Sequence, residues 1–205
     1  MELFHPFALI TPSLDGDVLR ALVNSQNGLT SGQIRNICKR GSRSGVINVL
    51  DRLVEQGIVI RVPSDRIFVY YLNRNHLIAD ALQTISATQS RWESMLIDQI
   101  STWEPRPLFV GIVGAARSFQ HRATDPIELL IVVSAFANAA DLTDDIAHLC
   151  TTSHEQTGSK TVAHVYTEYG LVDLPAAQLL EWFYEHTLIC GSPQPLRAAS
   201  MAGVD

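Results

Sequence analysis

Between Gly28 and Leu72 the chain passes from helical to strand patterning, and turn residues separate its segments. The run reads GLTSGQIRNICKRGSRSGVINVLDRLVEQGIVIRVPSDRIFVYYL. Thr30 with Gln33 has the spacing of a capping box, and Ile34 and Ile37 form the buried side of a short helix. The stretch KRGSRSG makes a basic turn in which Ser42 or Ser44 caps the next helix. Val46, Val49, Leu50, Leu53 and Val54 then give an inward stripe that stops at Gly57, a residue suited to the left-handed position after a helix. IVIRV and RIFVYYL are β-branched and aromatic, and Pro63-Ser64-Asp65 between them is a turn signal. Upstream, Ser13 stands as a cap before a stripe of Leu14, Val18, Leu19, Leu22 and Val23.

Helix, short helix, turn, longer helix and hairpin, in that order, predict a winged helix-turn-helix. In such a module the second helix of the pair enters the major groove and the hairpin lies beside it. Arg35, Lys39, Arg40 and Arg43 fall around the turn. Ser42, Arg43, Ser44, Asn48 and Arg52 lie opposite the apolar stripe. Arg43 has the donors to read guanine and Asn48 to read adenine. Ser42 and Ser44 suit phosphate at a helix N-terminus, and Arg61 and Arg66 belong to the wing. A solvated basic face on a protein-interaction module is the competing reading. The pattern LTSGQIRNIC…GVINVLDRLVEQGIV…YYLNRNHL resembles the MarR/ArsR-like winged-helix regulators over residues 13–75. That resemblance implies double-stranded DNA as partner and a homodimer on two half-sites.

Charge is distributed accordingly. The chain of 205 residues carries a net charge of −6. Residues 1–76 nevertheless hold nine Lys/Arg against six Asp/Glu, and the remainder six against fifteen. A basic module on an acidic body directs a polyanion to one end. With 46% hydrophobic residues a core is within reach, and no apolar run approaches the ~20 residues that span a bilayer. The N-terminus lacks the basic leader of a signal peptide. Three widely spaced cysteines, Cys38, Cys150 and Cys190, suit reduced thiols, so the expected compartment is the cytoplasm, with no membrane partner.

Apolar positions from 78 to 103 predict one long helix over 76–104, either a connector or a dimerisation helix. Glu104-Pro105-Arg106-Pro107 marks the expected boundary. Beyond it LFVGIVG and IELLIVVS read as buried strands, 138–156 as helix, TVAHVYTEY as strand and 175–187 as helix. The expected fold is α+β: a winged helix over 1–75, the linker helix, a small α/β sandwich over 105–192, and a flexible tail over 193–205.

The stretch GAARSFQHRATDPIELLIVV resembles the nucleotidyltransferase superfamily that includes kanamycin nucleotidyltransferase and DNA polymerase beta. Those proteins cradle triphosphate with Gly-Ser at a helix start and hold Mg²⁺ with Asp-x-Asp on the next strand. In this chain Gly114 matches the glycine, while Ala115 stands at the serine. Pro126 takes the place of the first aspartate and Glu128 that of the second. Asp125 is one residue out of register, and the third strand offers His164 and Glu168 but no central Asp. The resemblance thus implies a nucleotide site of Gly114, Ala115, Arg117, Asp125 and Glu128 that has lost its catalytic and metal-binding residues. Arg117, His121 and Arg122 are placed to meet a phosphate-bearing effector.

Weaker candidates are a metal cluster of His148, Cys150 and His154, whose spacing on a helix does not converge, and Cys190 as a nucleophile. Trp92, Trp103 and Trp182 read as core or interface. The expectation is therefore a DNA-binding transcriptional regulator with a catalytically inactive second domain, not an enzyme, without cofactor, and with a small-molecule or nucleotide effector as a further partner. The alternative is a metal-dependent nucleotidyltransferase, using Mg²⁺ with Glu128 and Asp125, whose winged helix recruits substrate.

Overall fold

In a computed structural model of the chain, residues 3, 5–114 and 125–202 are described. Among them the protein is α+β, with eight α-helices and two sheets. The chain divides into two compact units, one of His5–Gln89 and one of residues from Ser90 onward together with Leu3.

The first unit begins with a short 3-10 turn, Pro6–Leu9, and then α1 (Leu14–Val23), β1 (Leu29–Thr30), α2 (Ser31–Cys38), α3 (Arg43–Glu55), β2 (Val59–Ser64), β3 (Ile67–Leu72) and α4 (Ala79–Ser86). Local sequence accounts for most of these limits. The capping box forms as the spacing predicts: the Gln33 amide donates to the Thr30 hydroxyl at 3.2 Å, and the Thr30 amide donates to Gln33 Oε1 at 2.8 Å. Ser42 caps α3 by accepting from the Gly45 amide at 3.0 Å. Ser13 stands at the N-cap of α1 but makes no capping bond; its hydroxyl donates to Asp15 instead, at 2.7 Å.

Gly57 follows α3 at φ +74°. Its amide donates to the Val54 carbonyl and that of Ile58 to the Leu53 carbonyl, which satisfies two carbonyls that the helix end would otherwise orphan. Val18, Leu22, Ile34, Val46, Leu50, Leu53 and Tyr70 form the core of this unit. The sheet order is β1-β3-β2, all antiparallel, and β2 and β3 pair from Val59 with Leu72 to Ser64 with Ile67.

The second unit contains α5 (Thr88–Ile100, of which the first two residues fall in the first unit), β4 (Phe109–Val113), β5 (Ile127–Val133), α6 (Thr143–Thr157), β6 (Thr161–Thr167), α7 (Ala176–Tyr184), β7 (Thr187–Gly191) and α8 (Gln194–Ala202). Its sheet has the order β6-β5-β4-β7; β5 and β6 are parallel and the other pairs antiparallel. Side chains of β4 and β5 alternate between two cores. Val110, Ile112, Ile127, Leu129 and Ile131 pack with Trp92, Leu96, Ile100 and Leu149 from α5 and α6. Phe109, Val113, Leu130 and Val132 pack with Leu179, Trp182, Leu196 and Ala199 from α7 and α8. Burial on both faces explains why IELLIVV reads as a nearly continuous apolar run rather than an alternating one.

Three expectations are corrected by this arrangement. The single helix over 76–104 is two helices, with Ala87 between α4 and α5 and the Thr88 hydroxyl donating to the Ile85 carbonyl at 2.7 Å. Leu82 belongs to the first core, while Trp92, Leu96 and Ile100 belong to the second unit. The chain accordingly divides at Gln89–Ser90, ahead of the prolines at 105 and 107. Within the segment expected to be a loose tail, Gln194–Ala202 folds as α8, because Leu196 and Ala199 are apolar at helical spacing and are buried. The edge strand β7 is also a departure, since helix was expected through 187. No helix among the described residues is long and apolar enough to cross a membrane.

Candidate functional site

The basic side chains of the first unit are not equivalent. Arg35, Lys39, Arg40 and Gly41 line, with Asn36, a groove of about 420 Å³ at the end of α2. Arg40 is tied down there: its guanidinium pairs with Asp17 of α1 and donates to the carbonyls of Pro12 and Ser13 at 3.2 and 3.1 Å. Arg52 on α3 pairs with Asp15 of α1. Arg61 on β2 pairs with Asp51 of α3 at 2.9 Å and lies 4.9 Å from the centre of the Phe68 ring.

Arg43 opens α3 and is exposed, as are Ser44 and Asn48 further along that helix. Arg35, Arg43 and Arg66 make no ion pair among the described residues. Ser42 is committed to its cap, with its hydroxyl 3.0 Å from that of Ser44. Exposed ion pairs are worth roughly 0–1 kcal/mol. Arg52 and Arg61 can therefore trade a carboxylate for a phosphate at little cost. Arg40, with two carbonyls as well, is part of the scaffold.

The second unit carries a different kind of site. Glu128 is the second residue of β5 and lies on the face covered by α7, with Leu130 and Val132. On the adjacent parallel strand His164 sits opposite Leu130, so the two polar side chains are diagonal neighbours on one face. His164 Nε2 lies 2.9 Å from Glu128 Oε2, and the two side chains are 30% and 29% exposed. The imidazole is flanked by Trp182 of α7, with ring centres 5.4 Å apart.

Across the sheet, Val113 pairs with Glu128 and Gly114 ends the strand at φ +69°. A β-carbon at Gly114 would stand 2.8 Å from Glu128 Oε1. The glycine therefore serves twice, by adopting a left-handed backbone and by leaving room for the carboxylate.

Of the expected nucleotide-site residues, Gly114 and Glu128 come together. Ala115 and Arg117 lie outside the described residues, as do His121 and Arg122. Asp125 stands before β5 begins. Glu168 follows β6, where its carboxylate accepts from the Ala135 amide at 3.2 Å.

Magnesium requires several hard oxygen ligands. On the α7 face of β4, β5 and β6, Glu128 is the one carboxylate, and His164 occupies one of its oxygens. Residues 115–124 contain neither Asp nor Glu. Among the described residues no group of three His, Cys, Asp or Glu is placed to hold a metal, and this includes His148, Cys150 and His154 on α6. The residues present do not fit a magnesium centre. Burial pushes the Cys190 thiol up, which keeps it protonated near neutral pH and unsuited to nucleophilic attack. Trp92, Trp103 and Trp182 are all buried.

No family model matches the chain, and no curated protein matches it. Among solved structures, it is similar to the toxin-antitoxin MntA-HepT (9% identity over 57% of this chain and 84% of that one, TM-score 0.38). It is similar to a toxin-antitoxin with AMP-PNP (12% identity over 55% and 83%, TM-score 0.39). It is also similar to TrmBL2, an archaeal chromatin protein whose structure shows a novel mode of DNA binding (18% identity over 83% and 71%, TM-score 0.28).

The expectation of an inactive, non-enzymatic regulator is corrected at this site. The physical reason lies in the second unit. The missing aspartates imply a relic, but Glu128 has not been left as an isolated carboxylate. It is paired with His164 and given room by Gly114.

Proposed function

We propose that the chain is a nucleotidyltransferase: it moves a nucleotide from a nucleoside triphosphate to an acceptor hydroxyl at the Gly114–Glu128–His164 site, while its N-terminal unit recruits nucleic acid. The observation that carries this reading is the half-buried carboxylate–imidazole pair beside the left-handed glycine. Placing a polar pair in a sheet whose other β5 side chains are all apolar costs stability. Such pairs concentrate where acid–base chemistry is performed.

Supporting the recruiting role, the first unit has the element order of a winged helix of MarR/ArsR-like type. Exposed Arg43, Ser44 and Asn48 lie on its third helix, and Arg35 and Lys39 line the groove next to it. Double-stranded DNA is the polyanion this face suits. Arg43→Ala is expected to weaken DNA binding and lower its salt slope by about 1, with no change in thermal unfolding. An unchanged slope in a salt-titrated gel shift would remove the recruiting role.

Activity is tested by incubating the full chain with ³²P-labelled nucleoside triphosphates, Mg²⁺ and duplex DNA, and following label into protein and nucleic acid. Glu128→Gln is expected to lower incorporation at least a hundredfold, within the roughly 10²–10⁴ range of general acid–base contributions. No incorporation by the unaltered chain would sink the proposal.

A further inference from the structure

We propose that His164 is the general base of this transfer and that Glu128 is its positioning residue, a role that rests on the nucleotidyltransferase reading and replaces the metal ligation expected of Glu128. Against an ionised Glu128, whose oxygens only accept, the 2.9 Å contact is assigned to the Nε2–H tautomer of His164. The lone pair is then on Nδ1. Glu128 thereby fixes the tautomer and orientation of the ring, the task a carboxylate performs behind a catalytic imidazole. Two further contacts hold the couple in place: Trp182 flanks the ring at 5.4 Å, and Gly114 lets Oε1 of Glu128 sit against bare backbone. The His164 side chain is 30% exposed, so the couple is not sealed in the core.

In the step itself the acceptor oxygen forms a bond to the α-phosphorus of the nucleoside triphosphate. The bond between that phosphorus and the bridging oxygen breaks, and pyrophosphate departs with the electron pair. The hydroxyl proton passes to Nδ1 of His164, and the imidazolium is stabilised by the Glu128 carboxylate. No redox partner is required. The other titratable side chain of β6 on this face is Tyr166, which packs against Trp182 with ring centres 6.2 Å apart.

The test measures label incorporation by the unaltered chain, His164→Ala and His164→Gln, each checked by circular dichroism and thermal unfolding. Both variants are expected to lose at least a hundredfold. Free imidazole added to His164→Ala should restore at least tenfold, whereas His164→Gln, with its site filled, should not respond. A purely structural histidine would not yield this contrast. Incorporation within threefold of the unaltered chain in folded His164 variants overturns the base assignment while the transferase reading stands. Loss of activity in both variants, with imidazole restoring neither, overturns the assignment as well. If the unaltered chain itself incorporates nothing, the transferase reading falls and this assignment with it. Should both His164 variants unfold, Glu128→Gln decides, because it keeps every heavy-atom position: a loss of a hundredfold or more supports the pair, and a smaller loss overturns it.

Discussion

The two units place their polar chemistry in opposite ways. In the first, the candidate residues stand on helix ends, a turn and a hairpin, and several are exposed ion-paired side chains such as Arg52 with Asp15 and Arg61 with Asp51. In the second, the candidate residues come from two adjacent strands of the sheet, where Glu128 and His164 meet on a face shared with Leu130, Val132 and Trp182. Surface charges are individually cheap and exchangeable, which suits a polyanion. A half-buried pair is expensive and fixed, which suits chemistry. The number of charges in a unit therefore says less about its role than how many of them the fold has constrained.

The largest expected effect tests whether each unit owns its core. Leu50→Ala in the first unit and Leu130→Ala in the second each empty a fully buried position and should cost about 2–5 kcal/mol. Hydrogen exchange should show the loss of protection concentrated in the unit that carries the change. Equal loss across both would break the division into two units.

A smaller effect sharpens the constrained side. Gly114→Ala brings a methyl group onto the Glu128 carboxylate and strains a left-handed backbone, a destabilisation of about 1–3 kcal/mol by denaturant unfolding. Incorporation should fall as well, since the carboxylate must shift. A variant with native stability and native activity would show that the glycine has no part in holding Glu128.

The smallest separates scaffold from contact on the exposed side. Arg40→Ala should lower thermal stability by removing the link from α2 to α1 through Asp17, Pro12 and Ser13, by about 1 kcal/mol. Arg43→Ala should leave stability unchanged and weaken DNA binding. Reversal of this order, with Arg43 the stabilising residue, would remove the distinction between the two.

Much of the first unit is legible because its signals are local. Thr30 with Gln33, Ser42 with Gly45, and Gly57 after α3 each act within a few residues, so reading the chain recovers the helix limits. The second unit is less so. Its strands β4, β5 and β6 are visible as apolar runs. The edge strand β7 is hidden because TLICG is short and continues an apolar helix pattern. The tail reads as loose because Gln194–Ala202 is rich in small residues, and only the burial of Leu196 and Ala199 against the sheet makes it a helix.

Within the site the difference is sharper. Gly114, Glu128 and His164 can each be noted along the chain, yet 36 residues separate the carboxylate from the imidazole. Capping, turn chemistry and hydrophobic period are short-range properties, so sequence by itself determined α1, α2 and α3 of the first unit, the apolar strands of the second and the uneven distribution of charge. Strand register and order are long-range properties. Only the tertiary structure decided that β6 lies parallel to β5, that Glu128 meets His164, and that Arg40 braces the fold while Arg43 remains exposed at the start of α3.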